Sequence, residues 1–177
     1  KKECLYVNSG SSALFIGIES YNFPKGSEVI TPVLTFGTSV GCLIKNSLVP
    51  VFVDVEPLTY CIDIQEIEKN INNNTVAILA PNLMGNLCNW PEIRKIANKH
   101  NLIVIEDSAD TLGAKINGKS SGSFSDMSIT SFYGSHIINC AGNGGALLLN
   151  DKKIIDKAKL LRSWGRSSSL FDEKILP

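Results

Sequence analysis

The sequence predicts an α/β fold, a mainly parallel sheet with helices on both faces. Three observations carry this. Strand-like and helix-like segments alternate along nearly the whole chain. The strand-like segments VPVFVDV, VAILAP and LIVIED are apolar almost throughout, as strands buried on both faces are. Repeated strand–helix–strand units of this length build a parallel sheet.

In chain order, LYVNSG reads as a short strand running into a glycine turn. SSALFIGIESY follows with helical spacing of its apolar residues and Ser11 or Ser12 as N-cap candidates. EVITP is a strand stopped by Pro32, and residues 36–46 read as a helix. VPVFVDV is a buried strand, and DIQEIEKNI is a helix with Asp63 as its cap. After the strand VAILAP, NWPEIRKIANKH is a helix with Asn89 at the cap and Pro91 in the first turn. LIVIED is a strand ending in two carboxylates. MSITSF and GGALLLN read as strands, and DKKIIDKAKLLRSW as the last helix.

Composition excludes several classes. Of the 177 residues, 44% are hydrophobic and 19% charged, ordinary for a globular domain and unlike a disordered one. A formal net charge of zero offers no basic face to nucleic acid or an anionic membrane. No apolar run reaches bilayer length, and the start lacks a signal-peptide pattern. The five cysteines show no CxxC, and no Cys/His pair has ligand spacing, so they read as reduced thiols in a cytoplasmic chain with no metal site. Both ends read as cut: LysLysGluCysLeu enters directly into a strand, and SLFDEKILP stops without a terminal element.

In open parallel sheets, ligands sit beyond the carboxyl ends of the strands. Four small clusters fall there: Ser9 to Ala13, Thr35 with Phe36, Glu106 to Asp110, and Ser131 to His136. SGSSA opens a helix with small residues, and N–H groups at a helix start bind anions. Alone it also reads as a plain strand-to-helix turn. Neither the Walker pattern nor the dinucleotide glycine fingerprint is present. Asp107 follows a strand, where a carboxylate can pair with a protonated ring nitrogen or simply cap a helix. Phe36 suits either stacking on an aromatic ligand or the core. His136, one of two histidines, lies in SFYGSHIINCAGNGG, whose glycines make a poor core and a good site loop.

Taken in order, NSGSSA, ITPVLTF, PVFVDVEPLTYCID, IEDSADTLGA, SFYGSH, GNGG and LRSWGR resemble the DegT/StrS family of pyridoxal phosphate (PLP)-dependent nucleotide-sugar aminotransferases. The resemblance runs from about Asn8 to Arg166. It implies the aspartate aminotransferase (type I) fold, a homodimer, and a chain that is one large PLP-binding domain over 1–177, lacking an N-terminal arm and a smaller C-terminal domain. Carried over by position, it implies that Ser11, Ser12 and Ser131 hold the cofactor phosphate. Phe36 would stack on the ring, Asp107 would pair with the ring nitrogen, and Asp110 would lie near the ring hydroxyl.

His136 falls where that family keeps its Schiff-base lysine. The replacement implies PLP, or its amine form PMP, held noncovalently. With SFY ahead of it and an aspartate at 110, it marks the branch of 3-dehydratases acting on nucleotide-linked 4-keto-6-deoxy sugars, typified by GDP-4-keto-6-deoxymannose. Glutamate would supply the amine, His136 would be the base, and lipopolysaccharide sugars would be the destination. RSSSLFDE has no cysteine after LRSWGR, which implies no iron–sulfur cluster. Two departures stand: AGNGG replaces GEGG, and Gly134-Ser135 replaces a proline–alanine pair. A lysine-dependent aminotransferase and a nonenzymatic PLP- or sugar-binding homologue are the competing readings.

Overall fold

The computed structural model describes residues 1–170, so the expectation about the final stretch from residue 171 lies outside the described residues. A seven-stranded sheet forms the centre. Its strands are β1 (Glu3–Val7), β2 (Glu28–Pro32), β3 (Val49–Val53), β4 (Thr75–Pro81), β5 (Ile103–Asp107), β8 (Met127–Ser131) and β9 (Gly145–Leu149). Their order is β1-β9-β8-β5-β4-β2-β3. All neighbouring pairs are parallel except those made by β9, which runs antiparallel to both β1 and β8. The reversal has a simple cause. A parallel return needs a crossover, usually helical. The glycine-rich link over 132–144 has no helix and turns the chain straight back. A two-stranded hairpin, β6 (Lys115–Ile116) with β7 (Lys119–Ser120), stands apart. Its Asn117-Gly118 turn has φ of 51° and 75°, the signature of a two-residue hairpin turn.

Helices α1 (Gly10–Tyr21), α2 (Gly37–Lys45), α3 (Ile64–Lys69), α4 (Trp90–His100) and α5 (Lys152–Arg162) cover the sheet. Two apolar clusters show how. Val29, Ala77, Leu79, Ile105, Met127 and Leu147 pack with Leu14, Ile18, Leu43 and Ile155 from α1, α2 and α5. Ile30, Ile78, Ala80 and Val104 pack with Ile67, Trp90, Ile93 and Ala97 from α3 and α4. Alternate strand residues thus serve opposite faces, as the pleat demands. The caps Asp63 and Asn89 are as expected, accepting from Gln65 and Glu92 N–H. The α1 cap is a correction. Ser9, not Ser11 or Ser12, caps that helix, with its Oγ accepting from the Ser12 N–H at 3.0 Å. The helix starts at Gly10 because its first turn must press against the ends of β8 and β9. A Cβ on Gly10 would stand 2.8 Å from Ser131 Cβ, and one on Gly145 would stand 2.3 Å from the Ser9 carbonyl carbon.

That second contact is with backbone, which cannot rotate away. Gly145→Ala is expected to destabilise the protein by about 3 kcal/mol through overpacking. Urea unfolding of the variant checks this, and an unchanged midpoint would contradict it.

Candidate functional site

One cavity of about 490 Å³ opens at the carboxyl edge of β2, β4, β5 and β8. The starts of α1 and α2 form one wall, contributing Ser9, Gly10, Ser11, Phe36, Thr38 and Ser39. Ser11 Oγ and Thr38 Oγ1 meet at 3.1 Å and tie the two helix starts together. Free N–H groups at helix starts favour an anion here.

Strand alternation sorts the two carboxylates of IVIED. Glu106 turns to the α4 face and is fully buried, while Asp107 turns to the α1/α2 face and the cavity. Ser131, on β8, shares the Asp107 face. Asp107 Oδ1 accepts from the Ala109 N–H at 3.1 Å, and Oδ2 accepts from Ser39 Oγ at 3.5 Å. Burial pushes its carboxyl up to about 6, opposed by these bonds and by His136, while Asp110 pushes the same way as burial.

The sign of the resulting pH dependence follows directly. Between 3.8 and about 6, the unfolded chain has released a proton that the folded protein retains. Stability therefore falls as pH rises through that window. Asp107→Asn removes the penalty. The unliganded variant is expected to be more stable at pH 7 by about 2 kcal/mol, after allowance for screening at the cavity, with the gain gone near pH 4. Urea unfolding at the two pH values measures the difference. An equal gain at both would contradict it.

The loop between β8 and β9 supplies a further wall, with Tyr133, Ser135, His136 and Asn143. Phe132 N–H donates to the Gly144 carbonyl at 2.8 Å and Cys140 N–H to the Phe132 carbonyl at 3.2 Å, closing the loop on itself. His136 N–H donates to the Tyr133 carbonyl at 2.9 Å, and the two rings meet edge to face with centroids 5.9 Å apart. His136 Nε2 faces Asp110 Oδ1 at 3.7 Å, and its Nδ1 is buried without a partner. Asp110 is held from behind, its Oδ2 accepting from the Met84 N–H at 3.1 Å. Met84 adopts a left-handed conformation, with φ 54°, to present that group.

The structure brings Ser11, Phe36, Asp107, Asp110, Ser131 and His136 to this one cavity. Ser12 lies outside the lining, its N–H and hydroxyl both turned to Ser9. Phe36 is 67% exposed at the mouth, so the core alternative for it is not what the fold chose. Lys115 and Lys119 lie in the separate hairpin, and among the described residues no lysine lines the cavity.

Sequence reasoning missed one cluster, PNLMG, which follows β4 at the same edge. Asn82 lies at its centre, almost fully buried. Its Nδ2 donates to Glu106 Oε1 (2.9 Å), Ser108 Oγ (3.2 Å) and Thr111 Oγ1 (3.1 Å). Its Oδ1 accepts from Trp90 Nε1 (2.8 Å) and the Cys88 N–H (3.1 Å). The available signal was position, an asparagine directly after an apolar strand. Among the described residues, no group of three or more His, Cys, Asp or Glu is arranged to hold a metal ion, and no helix is long and apolar enough to cross a membrane.

The sheet order, the helix starts and this cavity define the aspartate aminotransferase (type I) fold of PLP-dependent transferases, shared with a solved aminotransferase of Psychrobacter cryohalolentis. Within that class the chain belongs to the DegT/DnrJ/EryC1/StrS aminotransferase family, whose sequence model matches residues 1–175. It is 37% identical over 164 residues to a GDP-perosamine synthase of Caulobacter vibrioides, covering 93% of this chain and 44% of that protein. It is 40% identical over 173 residues to a lipopolysaccharide biosynthesis protein of Salmonella typhimurium, covering 92% and 39%. Among solved structures it resembles a GDP-4-keto-6-deoxymannose-3-dehydratase with a trapped PLP–glutamate geminal diamine. There the TM-score is 0.91 at 32% identity, covering 96% of this chain and 45% of that one. The chain thus spans less than half the length of these relatives.

Proposed function

We propose that the protein carrying this chain is a PLP- or PMP-dependent enzyme that removes the 3-hydroxyl of a nucleotide-linked 4-keto-6-deoxyhexose, with His136 as base. The observation that carries this reading is a histidine in a cavity that no lysine lines among the described residues, its Nε2 facing a carboxylate.

The residues present fit the cofactor. The cavity lies in the usual ligand-site range of roughly 300–1,000 Å³. Its acid, its anion-binding helix start and its aromatic mouth match a pyridine ring bearing a phosphate. When bound, the ring with its protonated nitrogen supplies an electron sink. Ser11, Ser131, the start of α1 and, by family position, Ser12 bind the phosphate. Asp107 holds the proton on the ring nitrogen. Phe36 covers a ring face and keeps water from it. Asp110 faces Nε2 of His136 and orients the imidazole that serves as the base. An imidazole cannot bond the cofactor as an amine does, so the cofactor stays noncovalent. A proton kept on His136 is not returned to the sugar's 4-carbon, which favours expulsion of the 3-hydroxyl.

The remaining expectations rest on the same family. This chain is the large domain, glutamate is the amine donor, and the rest of the protein supplies the nucleotide contacts. The enzyme is cytoplasmic, acts in lipopolysaccharide sugar synthesis, and works as a homodimer. Exposed Phe36 and Tyr133 at the cavity, with exposed Ile137 and Ile138 following His136 in the chain, support coverage by a second copy. The likeness to GDP-perosamine synthases favours a second reading, amination at the 4-carbon.

Full-length protein with PLP, glutamate and a GDP-4-keto-6-deoxyhexose separates the two by mass spectrometry of the sugar. Loss of the 3-hydroxyl with release of ammonia is expected. Gain of an amine at the 4-carbon would replace this reading with the second.

A further inference from the structure

Ser39 has no part in the reading above, yet its placement is unusual. It lies in the first turn of α2, three residues after Phe36, and is 1% exposed. Four residues before Ser39 is Thr35, outside the helix, so the back-bond that Ser20 makes to the Ile16 carbonyl at 2.6 Å has no helical counterpart there. Ser39 reaches across to Asp107 Oδ2 at 3.5 Å. Its own N–H donates to the Phe36 carbonyl at 2.9 Å. One helix start therefore places both the aromatic at the cavity mouth and a hydroxyl against the acid at its floor.

We infer that Ser39 is a positioning residue for Asp107, holding its carboxylate ionised and oriented so that the proton of the pair resides on the cofactor's ring nitrogen. The inference rests on the PLP reading. A hydroxyl can donate to a carboxylate but gains less from a carboxylic acid already holding its proton, so the bond favours the charged form. The other groups facing Asp107 do not replace it. The Ala109 N–H serves the opposite oxygen, Oδ1. Asp110 carries like charge and disfavours ionisation, while His136 favours it only when protonated. Cys42, also on α2, stays a neutral thiol pushed up to about 11, with its Sγ turned to the Ser11 carbonyl at 3.6 Å. Ser39 is thus the one side-chain hydroxyl among the described residues that donates to this carboxylate.

The test uses full-length protein loaded with PLP labelled with ¹⁵N at the ring nitrogen, titrated by NMR. Wild type is expected to hold the ring nitrogen protonated past pH 8. Ser39→Ala is expected to lower the midpoint for loss of that proton by about one pH unit, tenfold in the equilibrium. Ser39→Thr, which keeps the hydroxyl, is expected to restore it, and Ser39→Cys to fall between. Circular dichroism confirms that each variant is folded, and the threonine and cysteine variants decide the matter if the alanine variant is not. A wild-type midpoint in every folded variant, with or without weaker PLP binding, would reduce Ser39 to a structural residue and overturn the inference. Failure of the wild type to bind PLP would overturn the functional reading and this inference together.

Discussion

His136→Lys in the full-length protein is expected to change both how the cofactor is held and what leaves the active site. The lysine amine would bond PLP covalently, so borohydride would fix the cofactor to residue 136, which it cannot do in the wild type. The sugar product should shift from loss of the 3-hydroxyl toward gain of an amine at the 4-carbon, because an ammonium can return a proton where the imidazole does not. His136→Asn separates the two roles. It keeps a polar side chain facing Asp110 but no base, and should retain PLP while losing roughly 10²- to 10⁴-fold in elimination rate. The geometry behind both expectations is the place of His136 in the cavity wall and the 3.7 Å approach of its Nε2 to Asp110. Unchanged product and unchanged cofactor attachment in the lysine variant would remove His136 from the chemistry.

The largest expected loss of stability belongs to Asn82→Leu. Leucine is close in volume but can neither donate to Glu106, Ser108 and Thr111 nor accept from Trp90 Nε1 and the Cys88 N–H. Each buried group left without a partner costs about 1–3 kcal/mol, more when charged. Glu106 keeps Ser108 Oγ and the Gly122 N–H, which limits its share. A net loss of about 4 kcal/mol is expected in urea unfolding. The same change should weaken PLP binding, because the turn after Asn82 carries the Met84 N–H that holds Asp110. A variant with wild-type stability would mean that water replaces the amide in this network.

The order of strands and helices was legible because apolar runs and cap residues are local. Asp63 and Asn89 cap their helices where the sequence placed them. Ser9 was missed because the choice among Ser9, Ser11 and Ser12 depends on how closely Gly10 and Gly145 let α1 approach β8 and β9, a contact between distant parts of the chain. The antiparallel course of β9 was missed for a related reason. An apolar strand reads the same in either direction, and only the helix-free link before it forces the return. The Asn117-Gly118 hairpin was readable from its dipeptide and went unread.

For the site, residue types at strand ends determined which side chains were candidates. Six of the seven expected residues line one cavity because parallel strands bring their carboxyl ends to one edge. What the tertiary structure alone decided is how those residues act on one another. The packing of α1 and α2 on one face of β5 puts Asp107 in the cavity and leaves Glu106 to the buried Asn82 network on the other. The left-handed turn at Met84 brings a backbone donor to Asp110, and Asp110 faces His136. These are through-space relations between residues far apart in sequence. Periodicity and motif describe neighbours along the chain, so only packing could set them.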